Sequence, residues 1–471
     1  MKLLGLLVTF TLSYSALAMD RQALHDKAEQ EFFDTHFFEN GRGATITPNI
    51  SLFLGGMNRD GGSRQGGVLD AWIARQYGFT YTEDKKFLGV FGVKYKGMEV
   101  GVLGCTACHS GKAAGVIVPG LGNKTIDVKR IGREVERVQR ALRIFRDTND
   151  DFRYIYDKAL NFANVINDEN IGNLTRGLVP DSVIKTFFYR DLGRQYPSDM
   201  PRLQVKAPHL WGFAEKRPAG IFYDGIANGN TYAWMFGAEL FASDSSEHLR
   251  AVLPGLIHMA DNVLGNLLPP KYPFEIDEER VTRGRAIAEN RCFGCHGEHN
   301  RDLQGFPVYE APKVIELTKV NTDAERMQGF DLELEKLVEE GSLSDLLYFN
   351  RENIGKGYFA PKLWGVWSRY PYMHNASIPN LYEIFRKPSE RPIIFDMMDA
   401  GEEERFDKTK VGLTTYSQRE YRRALRRAER GDRDIYYTKR VGHSNSGHYF
   451  PFMEEFSEED KLDLIEFLKT L

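Results

Sequence analysis

Ile276-Asp-Glu-Glu-Arg-Val-Thr-Arg-Gly-Arg-Ala-Ile-Ala-Glu-Asn-Arg-Cys292-Phe-Gly-Cys295-His296 is the stretch from which the rest of the chain can be read. Its first part, with Val281, Ala286 and Ile287 as apolar positions, predicts a helix that runs straight into Cys292. Its last five residues are C-x-x-C-H, a pattern that also stands earlier as Cys105-Thr-Ala-Cys108-His109. In such a segment the two thiols add across the two vinyl groups of a haem, and the following imidazole is placed under the iron as proximal ligand. The four cysteines of the chain are all used in the two copies. Two covalently bound c-type haems are therefore expected, one on Cys105, Cys108 and His109 and one on Cys292, Cys295 and His296, with His109 and His296 as iron ligands.

Three other uses of paired cysteines fit less well. Disulfides are chemically open to an exported protein, but the cysteine framework of a small stapled fold is missing. The pairs lie far outside the roughly 15 to 20 residue separation of a zinc ribbon. A thioredoxin-like pair needs a βαβ context and no histidine directly after it.

Bulk properties set the frame. At 471 residues the chain exceeds one small core, and a prior of roughly 150 residues per domain predicts two or three units. A composition of 42% hydrophobic and 27% charged residues is that of a folded globular protein. The net charge of -4 and pI near 6.3 lack the basic footprint of phosphate-backbone binding, so nucleic acid is excluded as a partner class. In the one basic run, Arg419 to Arg430, the residues Tyr421, Ala424, Leu425 and Ala428 recur at i, i+3, i+4 and i+7. That spacing predicts an amphipathic helix with a solvated basic face rather than a docking patch. Residues 1–18, with Lys2, the apolar run Leu3 to Leu12, and Ala16 and Ala18 before Met19, read as a secretory signal peptide. No later segment reaches the roughly 18 apolar residues of a spanning helix. A periplasmic or secreted protein without a transmembrane anchor is expected.

Along the chain, Asp20 to Phe38 predicts a polar helix and the glycine-rich stretch Gly41 to Gly67 a loop. Val93 to Gly104, leading into the first motif, alternates as a strand or extended loop does, and Val128 to Ala163 predicts one long helix. Ser457-Glu-Glu-Asp460 is a capping box ahead of Leu462, Leu464, Ile465, Leu468 and Leu471, a closing helix that should pack across the one entering Cys292. An internal repeat is present as well: Ala207-Pro-His-Leu-Trp-Gly212 recurs as Ala360-Pro-Lys-Leu-Trp-Gly365, each downstream of a C-x-x-C-H motif. Each copy is followed by an aromatic segment, Ile221-Phe-Tyr-Asp-Gly225 and Pro371-Tyr-Met-His-Asn375. These features predict a mainly all-α fold of two cytochrome c-like haem domains, with long loops and few short strands. The first would span residues 19–270, with helical extensions, and the second residues 271–471, with the boundary near Pro269 to Asp277.

The order of haem motif, A-P-x-L-W-G and aromatic segment, with Tyr370-Pro-Tyr-Met-His-Asn-Ala-Ser-Ile-Pro-Asn-Leu381 in the second half, resembles the bacterial di-haem cytochrome c peroxidase superfamily. That superfamily includes the tryptophan-modifying di-haem enzyme of methylamine utilisation. Within it the chain is most similar to the di-haem rubber oxygenases, whose late segment resembles Gly442-His-Ser-Asn-Ser-Gly-His448; the likeness runs from about Val93 to the end. The resemblance implies a reactive N-terminal haem on His109 with one iron face open to peroxide or dioxygen. It implies a six-coordinate, electron-passing haem on His296, with His448 as its second axial ligand in preference to His443. Val441 stands where the peroxidases place a methionine ligand. Trp211 matches the tryptophan that bridges the two haems in the superfamily, although Trp364 at the same repeat position equally suggests core packing. Phe222 matches an oxygen-side phenylalanine of the rubber oxygenases and is otherwise an ordinary core residue. The chain is markedly shorter than those enzymes after its second motif, which removes the basis for naming rubber as substrate.

Peroxide cleavage needs a general acid or base near the iron, and Asp224 and Glu239 are the available candidates. His374 is expected to support the site rather than ligate. His25, His36, His248, His258 and His299 carry no spacing signal. The expected function is an oxidoreductase that activates peroxide or dioxygen at the first haem and exchanges electrons through the second with a small redox protein or cytochrome. Oxidation of an apolar substrate is one outlet and a bound calcium is left open. The alternative is a non-enzymatic di-haem electron carrier.

Overall fold

A computed structural model describes residues 21–34, 45–47, 68–83, 87–167, 174–180, 189, 192–194, 204–213, 223–228, 246–310, 312–329, 336–337, 339–341, 344–345 and 348–471. Residues 1–18, expected to be a signal peptide, and Phe222, Glu239 and His36 lie outside these residues. Eight longer helices are described: α1 (Arg21–Asp34), α2 (Val68–Tyr77), α3 (Val128–Leu142), α4 (Asp150–Asn167), α5 (Ser246–His258), α6 (Glu278–Arg291), α7 (Gln418–Glu429) and α8 (Glu458–Lys469).

The helix entering Cys292 is α6. Asp277 caps it by accepting from the amides of Glu279 and Arg280 at 3.0 and 3.1 Å. Its buried face is Val281, Gly284 and Ala288, and α8 packs across it with Leu464, Ile465, Phe467 and Leu468. The capping box of Ser457 and Asp460 starts α8. Gly284 sits at the crossing, where a Cβ would lie 1.9 Å from the Asp463 carbonyl oxygen. Asp463 reinforces the contact by accepting from Arg280 Nη1 at 2.9 Å and Arg283 Nε at 2.6 Å.

The first motif is reached differently. Strands β2 (Val90–Tyr95) and β3 (Met98–Leu103) form an antiparallel hairpin through Lys96 and Gly97, both at positive φ, as a two-residue primed turn requires. A short strand β1 (Thr45–Thr47) pairs with β3, so part of the stretch expected to be loop is strand. The hairpin delivers Cys105, and a second hairpin, β4 (Ser110–Ala113) with β5 (Val116–Pro119), follows His109.

The single helix expected over Val128 to Ala163 is instead a pair. α3 ends at Leu142, a turn of 3-10 helix covers Arg143–Phe145, and Asn149 Oδ1 accepts from the Phe152 amide at 2.7 Å to start α4. The polar run Asp147-Thr-Asn-Asp150 supplies the turn, and α3 and α4 fold against each other with Ile131, Val135, Phe162 and Ile166 buried. A hydrophobic pattern alone does not detect such a break, because both halves keep their apolar faces.

Strand content is also higher than expected. Among the described residues the short antiparallel ladders include β6 (Leu178–Pro180) with β7 (Gln204–Lys206), β8 (Lys313–Glu316) with β9 (Gly357–Ala360), and β10 (Ile394–Asp396) with β11 (Ile435–Tyr437). The architecture is thus mixed, with helices and many small ladders. Segments of three or four residues are too short for alternation to register. The predicted stripe of α7 is in place: Ala424 and Ala428 are buried against Ile394 and Ile435, with Tyr421 and Leu425 beside them. The largest hydrophobic cluster draws on both parts of the chain, from Trp211 and Leu264 to Trp364, Trp367 and Leu468. No described helix is long and apolar enough to cross a membrane.

Candidate functional site

Each C-x-x-C-H motif forms one turn of helix, Thr106–His109 and Phe293–His296. The amides of His109 and His296 donate to the carbonyls of Cys105 and Cys292, both at 3.0 Å. Nδ1 of His109 lies 2.9 Å from the Pro208 carbonyl oxygen, and Nδ1 of His296 lies 2.8 Å from that of Pro361. A carbonyl oxygen only accepts, so Nδ1 carries the proton and Nε2 presents its lone pair to the cavity. Burial lowers both imidazoles to a pKa of about 4, which keeps them neutral and able to ligate.

The two prolines are the second residues of the repeated hexapeptides, and this explains the repeat. In each half a two-stranded ladder, β6–β7 or β8–β9, ends within two residues of the proline, at Lys206 or Ala360, and delivers its carbonyl to the histidine. The closing glycines, Gly212 and Gly365, take the same left-handed conformation at φ 66° and 67°. The repeat was visible in the sequence, but the role of Pro208 and Pro361 needed the fold.

Both motifs line one cavity of about 640 Å³ whose wall includes Leu121, Ile131, Phe162, Val205, Phe385 and Leu468. Cys108, Cys292 and Cys295 carry free thiols, and burial pushes the thiols of Cys108 and Cys292 up to about 11, which makes them poor thiolates. Among the described residues no cluster of His, Cys, Asp and Glu side chains could hold a bare metal ion. Neutral thiols on an apolar wall, each pair beside an imidazole with its Nε2 directed inward, fit a covalently attached haem.

His448 lines the same cavity. Its ring centre is 6.1 Å from that of His296. Two imidazoles on opposite sides of one metal, each bonded at roughly 2.0–2.1 Å, place their ring centres about 6 Å apart. His448 takes a left-handed backbone at φ 47° and its amide donates to the Val320 carbonyl at 2.7 Å. Arg391 holds the loop by donating to the carbonyls of Asn445 and Gly447 at 2.6 and 2.8 Å. A strained non-glycine conformation fixed by its surroundings is a mark of function. Burial first, and His296 second, lower the His448 imidazole to about 3. His443 is elsewhere: its Nε2 meets Thr175 Oγ1 at 3.0 Å, its Nδ1 the Val441 carbonyl at 2.9 Å, and its ring packs 4.9 Å from Tyr436. Val441 is 66% exposed, away from the cavity wall.

Around the first motif, no ring contact joins His109 to a second imidazole among the described residues. His374 lies on the cavity wall, stacked 4.2 Å from Tyr358. Trp211 is buried behind the wall, and its Nε1 donates to the Trp364 carbonyl at 3.0 Å, so the first hexapeptide is tied directly to the second. His209 stacks on Trp211 at 4.8 Å and accepts from Arg369 Nη1 at 3.3 Å. Both readings of Trp211 are thus compatible with its place at the junction. Asp224 is buried in an ion pair with Arg326 and does not line the cavity. His209, Arg369, Lys124 and Lys206 carried no spacing signal, because they meet only in three dimensions.

The family model for RoxA-like, cytochrome c-like domains matches residues 357–396, the segment that holds Pro361, the second hexapeptide and His374. That segment is thus similar to RoxA-like, cytochrome c-like domains, a likeness that implies a c-type haem with its iron. Two uncharacterized proteins of Sinorhizobium fredii are similar to the chain: y4iM is 30% identical over 156 residues, 28% of this chain and 33% of its own length. The second, y4iJ, is 25% identical over 295 residues, 49% of this chain and 47% of its own length. The chain spans between a third and about half the length of these curated relatives.

Proposed function

We propose that the protein is an exported di-haem c-type cytochrome, an oxidoreductase that takes dioxygen or peroxide at the haem on His109 and passes electrons through the haem on His296. The observation that carries this reading is the asymmetry of two sites that hold their first histidines alike. The ring centre of His448 lies 6.1 Å from that of His296, whereas no second imidazole has ring contact with His109 among the described residues. A c-type haem, when bound, supplies a redox-active iron whose open face takes a small oxygen species.

The chain's own residues set the conditions. Pro208 and Pro361 fix the tautomer and ring orientation of the proximal histidines. His448, held in its loop by Arg391, would supply the second imidazole to a haem on His296. Leu121, Ile131, Phe162 and Val205 keep water from the cavity beside Cys105 and His109. Asp224 is neutralised by Arg326 and does not serve as a proton donor. Trp211 joins the two hexapeptides by a buried hydrogen bond and so offers a direct link between the two sites. A small redox protein or cytochrome is the electron partner, and an apolar molecule suits the apolar wall as the compound oxidised.

The test is spectroscopic. The ferric protein should show a high-spin component, and cyanide or carbon monoxide should bind one of two haems. Two low-spin haems inert to both ligands would overturn the reading in favour of an electron carrier. Peroxide turnover with reduced cytochrome c, against oxygen uptake with an apolar polyisoprene, separates peroxidase from oxygenase.

A further inference from the structure

Six cationic side chains line the cavity, and they fall into two groups. Arg291 is paired with Glu455, Arg326 with Asp224, and Lys362 with Glu310. Lys124, Lys206 and Arg369 have no carboxylate partner among the described residues. Their contacts are backbone carbonyls, rings and a neutral imidazole. Lys124 Nζ donates to the carbonyls of Lys112 and Ser368 at 2.7 and 3.0 Å and lies 3.9 Å from the Tyr370 ring centre. Lys206 Nζ donates to the carbonyls of Arg369 and Pro371 at 2.7 and 2.8 Å. Arg369 donates one N–H to His209. All three gather on the Ser368–Pro371 backbone, and Lys124 and Arg369 are 5% and 8% exposed.

Buried charge costs several kcal/mol per ion unless it is paired, and three neighbouring cations repel one another besides. Burial, and the neighbouring cation in turn, lower the basicity of Lys124 and Lys206, the latter to about 7. A fold that gathers three such groups on one cavity wall is built to receive negative charge there.

We propose that Lys124, Lys206 and Arg369 form a carboxylate cradle that holds haem propionates. The inference rests on the di-haem reading above. Lys206 stands two residues before Pro208, the partner of His109, and Arg369 donates to His209, the residue after Pro208, at 3.3 Å. The three cations therefore line the wall of the cavity beside the backbone that holds His109, where they would meet the carboxylates of a bound haem. A guanidinium fork and ammonium groups suit planar carboxylates. Haem is the source of carboxylates already anchored inside this cavity.

The experiment compares wild-type holoprotein with Arg369→Gln, Lys206→Gln and Arg369→Lys. Haem per chain is counted first; fewer than two in wild type refutes the di-haem reading itself. With two haems present in wild type and variants, the resonance Raman propionate-bending bands should shift. The midpoint potential should fall on removal of each cation, because an uncompensated carboxylate favours ferric iron. Arg369→Lys keeps the charge but loses the fork, so it should hold the potential while the propionate band moves. It also carries the test if Arg369→Gln does not accumulate. Two haems with unchanged bands and potentials in Lys206→Gln and Arg369→Lys would overturn the cradle. So would an acetate-induced spectral shift of wild type that Lys206→Gln abolishes without moving the propionate bands, since the site would then serve a free carboxylate.

Discussion

The two C-x-x-C-H sites are alike where they hold the proximal histidine and unlike everywhere else. Each histidine donates from Nδ1 to a proline carbonyl at the end of a two-stranded ladder. Yet Cys105 is delivered by a β-hairpin and Cys292 by a capped helix locked under the closing helix. Among the described residues, His296 has a second imidazole, that of His448, with its ring centre 6.1 Å away, and His109 has no such ring contact. The shared part performs what both sites need, a fixed and neutral imidazole. The differing parts decide what the other side of each site can accept. A helix pair clamped through Gly284 suits a site whose ligands do not change, whereas the first site is walled by α3 and α4, which add apolar surface and no second histidine.

The largest expected effect attacks that difference directly. His448→Ala should convert the second haem from low to high spin and raise the number of haems that bind cyanide from one to two. Persistence of the low-spin signal at full strength would move the ligand elsewhere, with His374, on the same cavity wall, next in line. His443→Ala should leave the spin state untouched, because its two nitrogens are engaged by Thr175 and Val441.

A second comparison concerns how each half is clamped. A Cβ at Gly284 would lie 1.9 Å from the Asp463 carbonyl oxygen, and one at Gly122 would lie 1.9 Å from that of Ala207. Backbone cannot step aside cheaply, so Gly284→Ala and Gly122→Ala should each cost about 1–3 kcal/mol in denaturant midpoints. They should differ in their spectroscopic consequence. Gly122→Ala presses on the residue before Pro208 and should disturb the haem on His109, while Gly284→Ala should loosen α6 against α8 and perturb the haem on His296. Equal perturbation of both haems by each variant would mean that the two sites are not held independently.

Much of this was legible beforehand. The paired motifs, the repeated hexapeptide, the capping box of α8 and the stripe Tyr421, Ala424, Leu425 and Ala428 are all local patterns, and local patterns survive in sequence. What escaped depended on residues far apart in the chain. The ladder β6–β7 is three residues on a side, below what alternation can reveal, and the turn at Asp147 is hidden within a continuous apolar periodicity. Lys124, Lys206 and Arg369 are ordinary charges until the fold buries them together. Phe222 and Glu239 lie outside the described residues and gain nothing from the structure.

Acid should weaken the protein in a defined window. His299, His374 and His443 are buried, and burial lowers them from the ordinary 6.5 to about 3, 3 and 4. Unfolded, they bind protons below about 6.5; folded, they resist until near their depressed values. The unfolded state therefore binds more protons between those limits, and the stability present above pH 6.5 is lost as pH falls toward 4. Denaturant midpoints measured from pH 7 to 4 should decline. His443→Gln, which removes one such group, should flatten the decline. A flat profile in the parent protein would show that these imidazoles are accessible to protons.

The smallest effect separates the two readings of Trp211. Trp211→Phe keeps a large ring against Gly365 but removes the Nε1 donor, leaving the buried Trp364 carbonyl without that bond. The stability loss should be about 1–3 kcal/mol, the cost of an unsatisfied buried acceptor plus a smaller ring. If Trp211 is only packing, the rate of electron exchange between the two haems should stay as it was, because the ring still fills the junction. If the indole is part of the route, that rate should fall while the spin states and ligand binding of both haems remain unchanged. Flash photolysis of the carbon monoxide adduct, read at the second haem, distinguishes these outcomes, and a slower transfer with intact spectra would join the two sites into one functional unit.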